Sequence, residues 1–439
     1  MSNILVNKKK IKKFKKTISV SGDKSLSIRW ILLASLASGI SRAKNLLISE
    51  DVIATIDAIK KLGIKISLDK KECKVFGEGL DGYKYKKNII INARNSGTLA
   101  RLLPGLLINT SHKIKIIGDK SLSKRDFKRI ADPLTKFGAK FSLKEDKKLP
   151  MIISGSKNPR PIKYFETRGS AQCKSSVIFA GLRTNGITNI NAKKSRNHTE
   201  LLCKYLKIPL SVTKKKNFDI IKVKKVNKIS PFNYKIPSDI SSSAFFMVLA
   251  SLNINSTLTI KDVNINPSRI GIITILKKMG VKIIFKNKKI YKGEQIADIK
   301  IKGPKRLKAI NCPPKLNSGA IDEFLIIFLV AAKADGISYF KELSELNQKE
   351  SPRLKWGSKI LKMMGIKTVT TENSIKIFGN PNLKIEKKII IKNYLKDHRV
   401  FMTSLIASLS FGGTWCIHDK DSIKTSFPDF LKIVNKFKK

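Results

Sequence analysis

The chain has 439 residues, 42% of them hydrophobic, and carries 89 Lys and Arg against 32 Asp and Glu, a formal net charge of +57. That length supports two or more buried cores and that apolar content argues against disorder. No apolar run reaches the roughly 20 residues of a membrane helix, and the opening residues lack the order of a secretory signal, so a cytoplasmic protein without membrane contact is expected.

The first strong element, "SGDKSLSIRWILLASLASG" at 21–39, runs from a polar, cationic start into helix formers. Lys24 and Arg29 sit where the helix dipole disfavours cations by about 0.3–1 kcal/mol each. An anion bound at the free N–H groups would remove that penalty. Five further segments share the pattern: "NSGTLARLLPGLL", "GSAQCKSSVIFAGL", "SDISSSAFFMVLASL", "IDEFLIIFLVAAKADG" and "KDHRVFMTSLIASLSFGG". Their anchors, Ser25, Ser96, Ser170, Ser241, Asp322 and Asp397, recur every 71 to 81 residues, which marks an internal repeat. The hexapeptide "GDKSLS" at 22–27 and 118–123 falls at different points of that period and is coincidence.

Each inner helix is followed by an amphipathic one: "EDVIATIDAIKKLG", "RDFKRIADPLTKFG", "RNHTELLCKYLK", "PSRIGIITILKKMG", "ESPRLKWGSKILKMMG" and "TSFPDFLKIVNKF". Asp51, Asp126, Asn197, Ser268, Ser351 and Ser426 are the expected N-caps, and Gly63, Gly138 and Gly280 the expected stops. Runs such as "IKISLDKKECKVFG", "AKFSLKEDKKLPMIISG", "VKIIFKNKKIY" and "IKTVTTENSIKIFG" predict hairpins, while "KNIIINA" and "HKIKIIG" predict single strands. One unit is thus strand, helix, strand, helix, strand, strand. It is too small to bury its inner helix alone, so three units per domain and two domains are expected.

Cations recur at these helix starts: Lys24, Arg29, Arg101, Arg125, Arg196, Arg269, Lys349, Arg353, Arg399 and Lys424. Lysine abounds everywhere, but arginine is the minority cation and its fork suits phosphate and carboxylate. Asp322 and Glu350 stand among them as candidates for proton exchange with a substrate. No GxxxxGK[ST] or strand-borne GxGxxG occurs, which disfavours a nucleotide triphosphate site. Five scattered cysteines, at 73, 173, 203, 312 and 416, form no CxxC pair and the four histidines do not cluster, so no disulfide framework and no metal site is expected. A basic RNA-binding protein is the rival that charge suggests, yet lysines fill every segment and no aromatic stacking platform appears.

The ordered motifs "GDKSLSIR", "NSGTLAR", "GDKSLSKR", "SAQCKSS", "SRNHTE", "SDISSSAFF", "IDE", "KESPR", "DHR" and "SFPDF" resemble the 5-enolpyruvylshikimate-3-phosphate synthase family over essentially the whole chain. The resemblance implies a two-domain inside-out α/β barrel of six βαβαββ repeats. Residues 1–20 plus 238–439 would form one lobe and 21–237 the other, with the active site in the cleft between them. It implies transfer of the enolpyruvyl group of phosphoenolpyruvate to the 5-hydroxyl of shikimate 3-phosphate by a monomer, without metal, cofactor or nucleic acid.

By the same resemblance, Lys24, Ser25, Arg29, Ser170, Ala171, Gln172, Arg196, Asp322 and Lys349 would hold shikimate 3-phosphate. Lys24, Gly97, Arg125, Gln172, Arg353, Arg399 and Lys424 would hold phosphoenolpyruvate, and a bare Gly97 would leave room for glyphosate. Asp322 would be the base toward the 5-hydroxyl, Glu350 would handle the methylene proton and Lys24 would assist. Departures from the family pattern are Ser21, Asp126, Asn197, Ser238, Asn347, Gln348 and Pro352, none of them a residue assigned to chemistry. The related UDP-N-acetylglucosamine enolpyruvyl transferases fit less well, since their "GAKN" start is absent and the loop 118–125 has no cysteine.

Overall fold

The computed structural model describes residues 3–69 and 72–438. All twelve expected helices are present: α1 Lys24–Ala34, α2 Glu50–Lys61, α3 Gly97–Leu106, α4 Lys128–Thr135, α5 Ala171–Gly181, α6 His198–Tyr205, α7 Ile240–Leu252, α8 Gly271–Lys278, α10 Phe324–Lys333, α11 Arg353–Met363, α12 His398–Phe411 and α13 Phe430–Lys438. A single turn, α9 Asn317–Ala320, is added before α10.

Three anchors cap their helices, with Ser96, Ser170 and Asp397 accepting from the N–H groups of Leu99, Cys173 and Arg399. Asp23 and Asp239 do the same for α1 and α7, two residues ahead of the anchor serines. The amphipathic helices correct the expectation: only Asn197 occupies the N-cap position. Asp51 lies inside α2, behind Ser49, and α13 begins at Phe430, well after Ser426. Asp126, Ser268 and Ser351 stand one or two residues early. Several of these side chains are taken by other partners. Asp51 pairs with Lys24, Ser351 donates to Asp397, and Ser268 bonds Asn266. The stops behave as expected, with Gly63, Gly138 and Gly280 at φ +92°, +102° and +92°, where a side chain would be strained.

The inner helices are enclosed nearly all round, and all thirteen residues of α7 are buried. Several of their serines bond back along the helix. Ser27, Ser243 and Ser404 donate to the carbonyls of Asp23, Asp239 and Val400. Helices α3 and α5 approach so closely that a Cβ at Gly105 would lie 2.2 Å from the Ser176 carbonyl oxygen.

The chain divides into two compact units. One takes the residues through Ser21, Pro237–Tyr291 and those from Gln295 onward; the other takes Gly22–Ile236 with Lys292–Glu294. The second unit holds three four-stranded sheets on one plan: a parallel pair followed by an antiparallel hairpin. Ile89–Asn92, Ile114–Ile117, Lys148–Ser154 and Lys140–Lys144 show it, as do Lys163–Glu166, Ile187–Lys193, Phe218–Lys224 and Leu210–Lys214. In the remaining sheet the parallel partner of Ser38–Lys44 is Asn233–Lys235, from the far end of that unit's sequence.

The first unit repeats the device. Lys15–Ile18 runs parallel to Thr257–Asn264, and Leu5–Asn7 closes the sheet of Ile385–Ile391 and Gly412–Ile417. Its middle sheet keeps only Ile337–Phe340, Ile375–Phe378 and Thr368–Thr370, with isolated parallel bridges at Lys308 and Asn311 where a first strand would lie. One strand expectation is corrected: "VKIIFKNKKIY" is not a hairpin but mostly one strand, Lys282–Tyr291, beside Glu294–Lys302. Asn287 there reaches Asp298 at 2.8 Å instead of opening a turn.

Candidate active site

In the unit built from Gly22–Ile236, the starts of α1, α3 and α5 carry the assigned residues. Lys24 opens α1 and its Nζ lies 2.8 Å from Asp51 Oδ2 on α2, which supplies the countercharge that the dipole withholds. Ser25 is half-buried beside it. Arg29, one turn on, is 3% exposed and turned inward: Nε donates to Thr199 Oγ1 at 2.7 Å, Nη2 to Ser175 Oγ at 3.2 Å and Nη1 to the Ser25 carbonyl at 3.1 Å. It therefore ties α1, α5 and α6 together at their amino ends.

Gln172 is fixed at both ends of its amide, accepting from Arg101 Nη1 at 2.7 Å and donating to Thr98 Oγ1 at 2.9 Å. Arg125 follows a short 3₁₀ turn, Leu122–Lys124, and donates to Asn95 Oδ1 at 3.3 Å. Gly97 opens α3 against it, where a Cβ would lie 2.9 Å from Arg125 Nη1 and 3.4 Å from Arg101 Nη1. Ser170 caps α5 and donates its own N–H to Glu166 at 2.9 Å. Burial pushes the Glu166 carboxyl up, and the N–H groups of Ser170 and Arg168 oppose that. Ala171 and Arg196 stand half-buried at the starts of α5 and α6. Behind them Lys174 and Glu200 form a buried ion pair at 2.6 Å that ties α5 to α6.

The other unit gathers its assigned residues around Asp322. Lys349 Nζ lies 3.3 Å and Arg353 Nη1 3.6 Å from Asp322 Oδ1, and Arg399 Nη1 donates to the Asp322 carbonyl at 2.6 Å. Arg353, 2% exposed, also pairs with Glu350 and donates from Nε to Asp397 Oδ2 at 2.9 Å. Burial alone would lower its pKa, but the charges of Asp397 and Glu350 outweigh that and raise it. Burial would likewise raise Asp397, and Arg353 instead holds it low. Lys424 stays with its own turn, 3.0 Å from Asp421 and mostly exposed.

Four of the departures from the family pattern find partners for their side chains as well. Ser21 donates to Asp429 at 2.9 Å, Ser238 Oγ to the Val20 carbonyl at 3.1 Å and Asn347 to the Glu372 carbonyl at 3.1 Å. Asp126 sits 3.5 Å from both Arg129 and Arg168, and Pro352 occupies the N-cap of α11. Three partners of the assigned residues were read from the sequence only as caps or motif members: Asp51, Asp397 and Glu323. Asp397 and Glu323 lie within two residues of the assigned Arg399 and Asp322, but which cation each of the three meets is set by contacts between distant segments.

The Arg353–Asp397 pair carries a stability prediction. Arg353→Met is expected to destabilise the protein by about 3–5 kcal/mol, the cost of leaving a buried charge unpaired, read as a lowered urea midpoint. Asp397 has a depressed folded pKa, so its contribution is complete above the ordinary aspartate value of about 3.9 and is lost as pH falls through the lower folded value. The stability gap between wild type and Asp397→Asn should therefore be constant above about pH 4 and close below it. A gap that widens in acid would contradict the pairing.

This fold is that of the enolpyruvyl transferases. The chain matches the enolpyruvyl transferase NikO from Streptomyces tendae with a TM-score of 0.77 over 100% of this chain and 98% of that one, a likeness of fold at 14% identity. More particularly, residues 8–434 match the family model of EPSP synthase (3-phosphoshikimate 1-carboxyvinyltransferase). The 3-phosphoshikimate 1-carboxyvinyltransferase of Ruthia magnifica subsp. Calyptogena magnifica is 39% identical over 95% of this chain and 94% of its own length. That of Thermoanaerobacter sp. (strain X514) is 37% identical over 98% and 99%. The EPSP synthase of Acinetobacter baumannii gives a TM-score of 0.87 at 35% identity, covering 99% of this chain and 98% of that one. The chain belongs to the EPSP synthase family.

Proposed function

We propose that the protein transfers the enolpyruvyl group of phosphoenolpyruvate to the 5-hydroxyl of shikimate 3-phosphate, releasing phosphate. The observation that supports this most directly is Asp322, a carboxylate with Lys349 and Arg353 within 3.6 Å, in a chain of this family. Two substrates that each carry phosphate and carboxylate repel one another, and only fixed cations overcome that repulsion at attacking distance. Lys24, Ser25, Ser170, Gln172, Arg196 and Lys349 hold shikimate 3-phosphate, and Arg29 shapes their helix starts from inside. Arg125, Arg353 and Arg399 hold phosphoenolpyruvate, with Gln172 and Lys24 serving both substrates and Lys424 joining from its turn.

In the addition, the 5-oxygen bonds to C2 of phosphoenolpyruvate while its proton passes to Asp322 and the methylene carbon takes a proton from Glu350, assisted by Lys24. In the elimination, the C2–O bond to phosphate breaks and the departing phosphate takes the proton held by Asp322, while the methyl carbon returns a proton to Glu350 and the double bond re-forms. Electrons and protons balance without a redox partner. The protein acts as a cytoplasmic monomer in this reading.

The test is phosphate release with both substrates and with each alone. Release only with both is expected; release with phosphoenolpyruvate alone, or with UDP-N-acetylglucosamine as acceptor, would overturn the reading. Gly97 gives a second check. Its missing Cβ leaves the Arg125 guanidinium in place, and since that guanidinium is the far end of a flexible side chain, Gly97→Ala should leave thermal stability nearly unchanged. It should raise KM for phosphoenolpyruvate and weaken inhibition by glyphosate, each by about tenfold, the equivalent of one displaced charge-assisted hydrogen bond. Unchanged values for both would argue against Arg125 as the ligand.

A further inference from the structure

One buried carboxylate in the Asp322 cluster has no part in the reaction written above. Glu323 follows Asp322, is fully enclosed, and occupies the N-cap position of α10 without bonding that helix through its side chain. Its Oε1 instead accepts from Ser241 Oγ at 2.5 Å and lies 3.8 Å from Arg399 Nη1. Ser241 in turn accepts from Arg269 Nη2 at 2.7 Å, and Arg269 lies 3.5 Å from Asp239. Oε2 is buried with no hydrogen-bond partner among the described residues.

A carboxylate so enclosed is costly, and a helix cap does not explain it, because a serine or aspartate would cap α10 better and at less cost. What the position gives is a pair of adjacent residues acting on one arginine. The Asp322 carbonyl accepts from Arg399 Nη1, and the Glu323 carboxylate supplies the opposing charge to the same nitrogen. Ser241 and Arg269, from the starts of α7 and α8, hold that carboxylate in turn.

We infer that Glu323 is a positioning residue that sets the Arg399 guanidinium for phosphoenolpyruvate, with Ser241 as its support. This rests on Arg399 being a phosphoenolpyruvate ligand in the reaction proposed above. It also couples that ligand to the base, because Asp322 and Glu323 are consecutive.

The experiment compares steady-state kinetics of wild type, Glu323→Gln, Ser241→Ala and Arg399→Lys, plus the Glu323→Gln/Arg399→Lys double variant, with thermal melts of each. Glu323→Gln keeps the shape and removes the charge. It should raise KM for phosphoenolpyruvate about 5–20-fold, with KM for shikimate 3-phosphate within about twofold of wild type. Ser241→Ala should shift the same constant in the same direction by less, and it carries the test should Glu323→Gln fail to fold. In the Arg399→Lys background the Glu323 change should add little, as expected of residues acting through one another.

A merely structural role predicts something else: a lowered melting temperature with both KM values unchanged or raised together, and additive effects in the double variant. Any of these in folded, active protein would overturn the inference while leaving the reaction intact. A wild type that releases no phosphate with both substrates present would overturn the reaction, and this inference with it.

Discussion

Asp322→Ala is expected to bind both substrates nearly as wild type does and to turn over about 10²–10⁴-fold more slowly, the contribution of a positioned general base. The geometry separates the two properties. Asp322 is bracketed by Lys349 and Arg353, while Arg399 is held by its backbone carbonyl, which alanine retains. Removing the carboxylate therefore takes away a proton acceptor without removing the cations or the anchor of Arg399. Lys349 and Arg353 would lose a competing anion, so calorimetric affinity for either substrate should hold or tighten. Loss in kcat with unchanged KM is the signature of an interaction made only in the transition state. A rate loss below tenfold would place the base elsewhere.

Arg125→Ala is expected to raise KM for phosphoenolpyruvate by roughly 10–150-fold, the equivalent of about 1.5–3 kcal/mol for a hydrogen bond to a charged group. Shikimate 3-phosphate should be affected far less. Arg125 sits half-buried on a loop outside the helices, where it donates to Asn95 Oδ1 at 3.3 Å, so the fold should survive its loss. Arg399→Ala should produce the same selectivity, since both arginines are proposed as ligands of phosphoenolpyruvate. Near-normal use of phosphoenolpyruvate by either variant would remove the central support for the assignment.

The repeat was legible because it is written twice over, once in inner helices and once in amphipathic ones. A helix buried on nearly every side is mostly apolar and can carry small hydroxyls that bond back along it, as Ser243 and Ser404 do. The glycine stops were legible for a similar local reason, since Gly63, Gly138 and Gly280 need positive φ within their own turn. The caps were not. Asp51 looks like a helix start in sequence, and its partner Lys24 lies 27 residues away. The strand "VKIIFKNKKIY" was misread because polar residues at a sheet edge look like a turn until the pairing partner is known.

The site divides in the same way. Its cations announced themselves through position, because arginine at the amino end of a helix opposes the dipole and needs an anion. Their countercharges did not, because Asp397 beside Arg353 and Glu323 beside Arg399 are pairings between different repeats. Sequence alone determined the period, the helices, the family and the chemical type of each assigned residue, all of which depend on short spans and residue identity. Tertiary structure decided which donors face inward, as Arg29 does, and which carboxylate meets which arginine. Those choices rest on distances between segments far apart in the chain, and no local pattern encodes them.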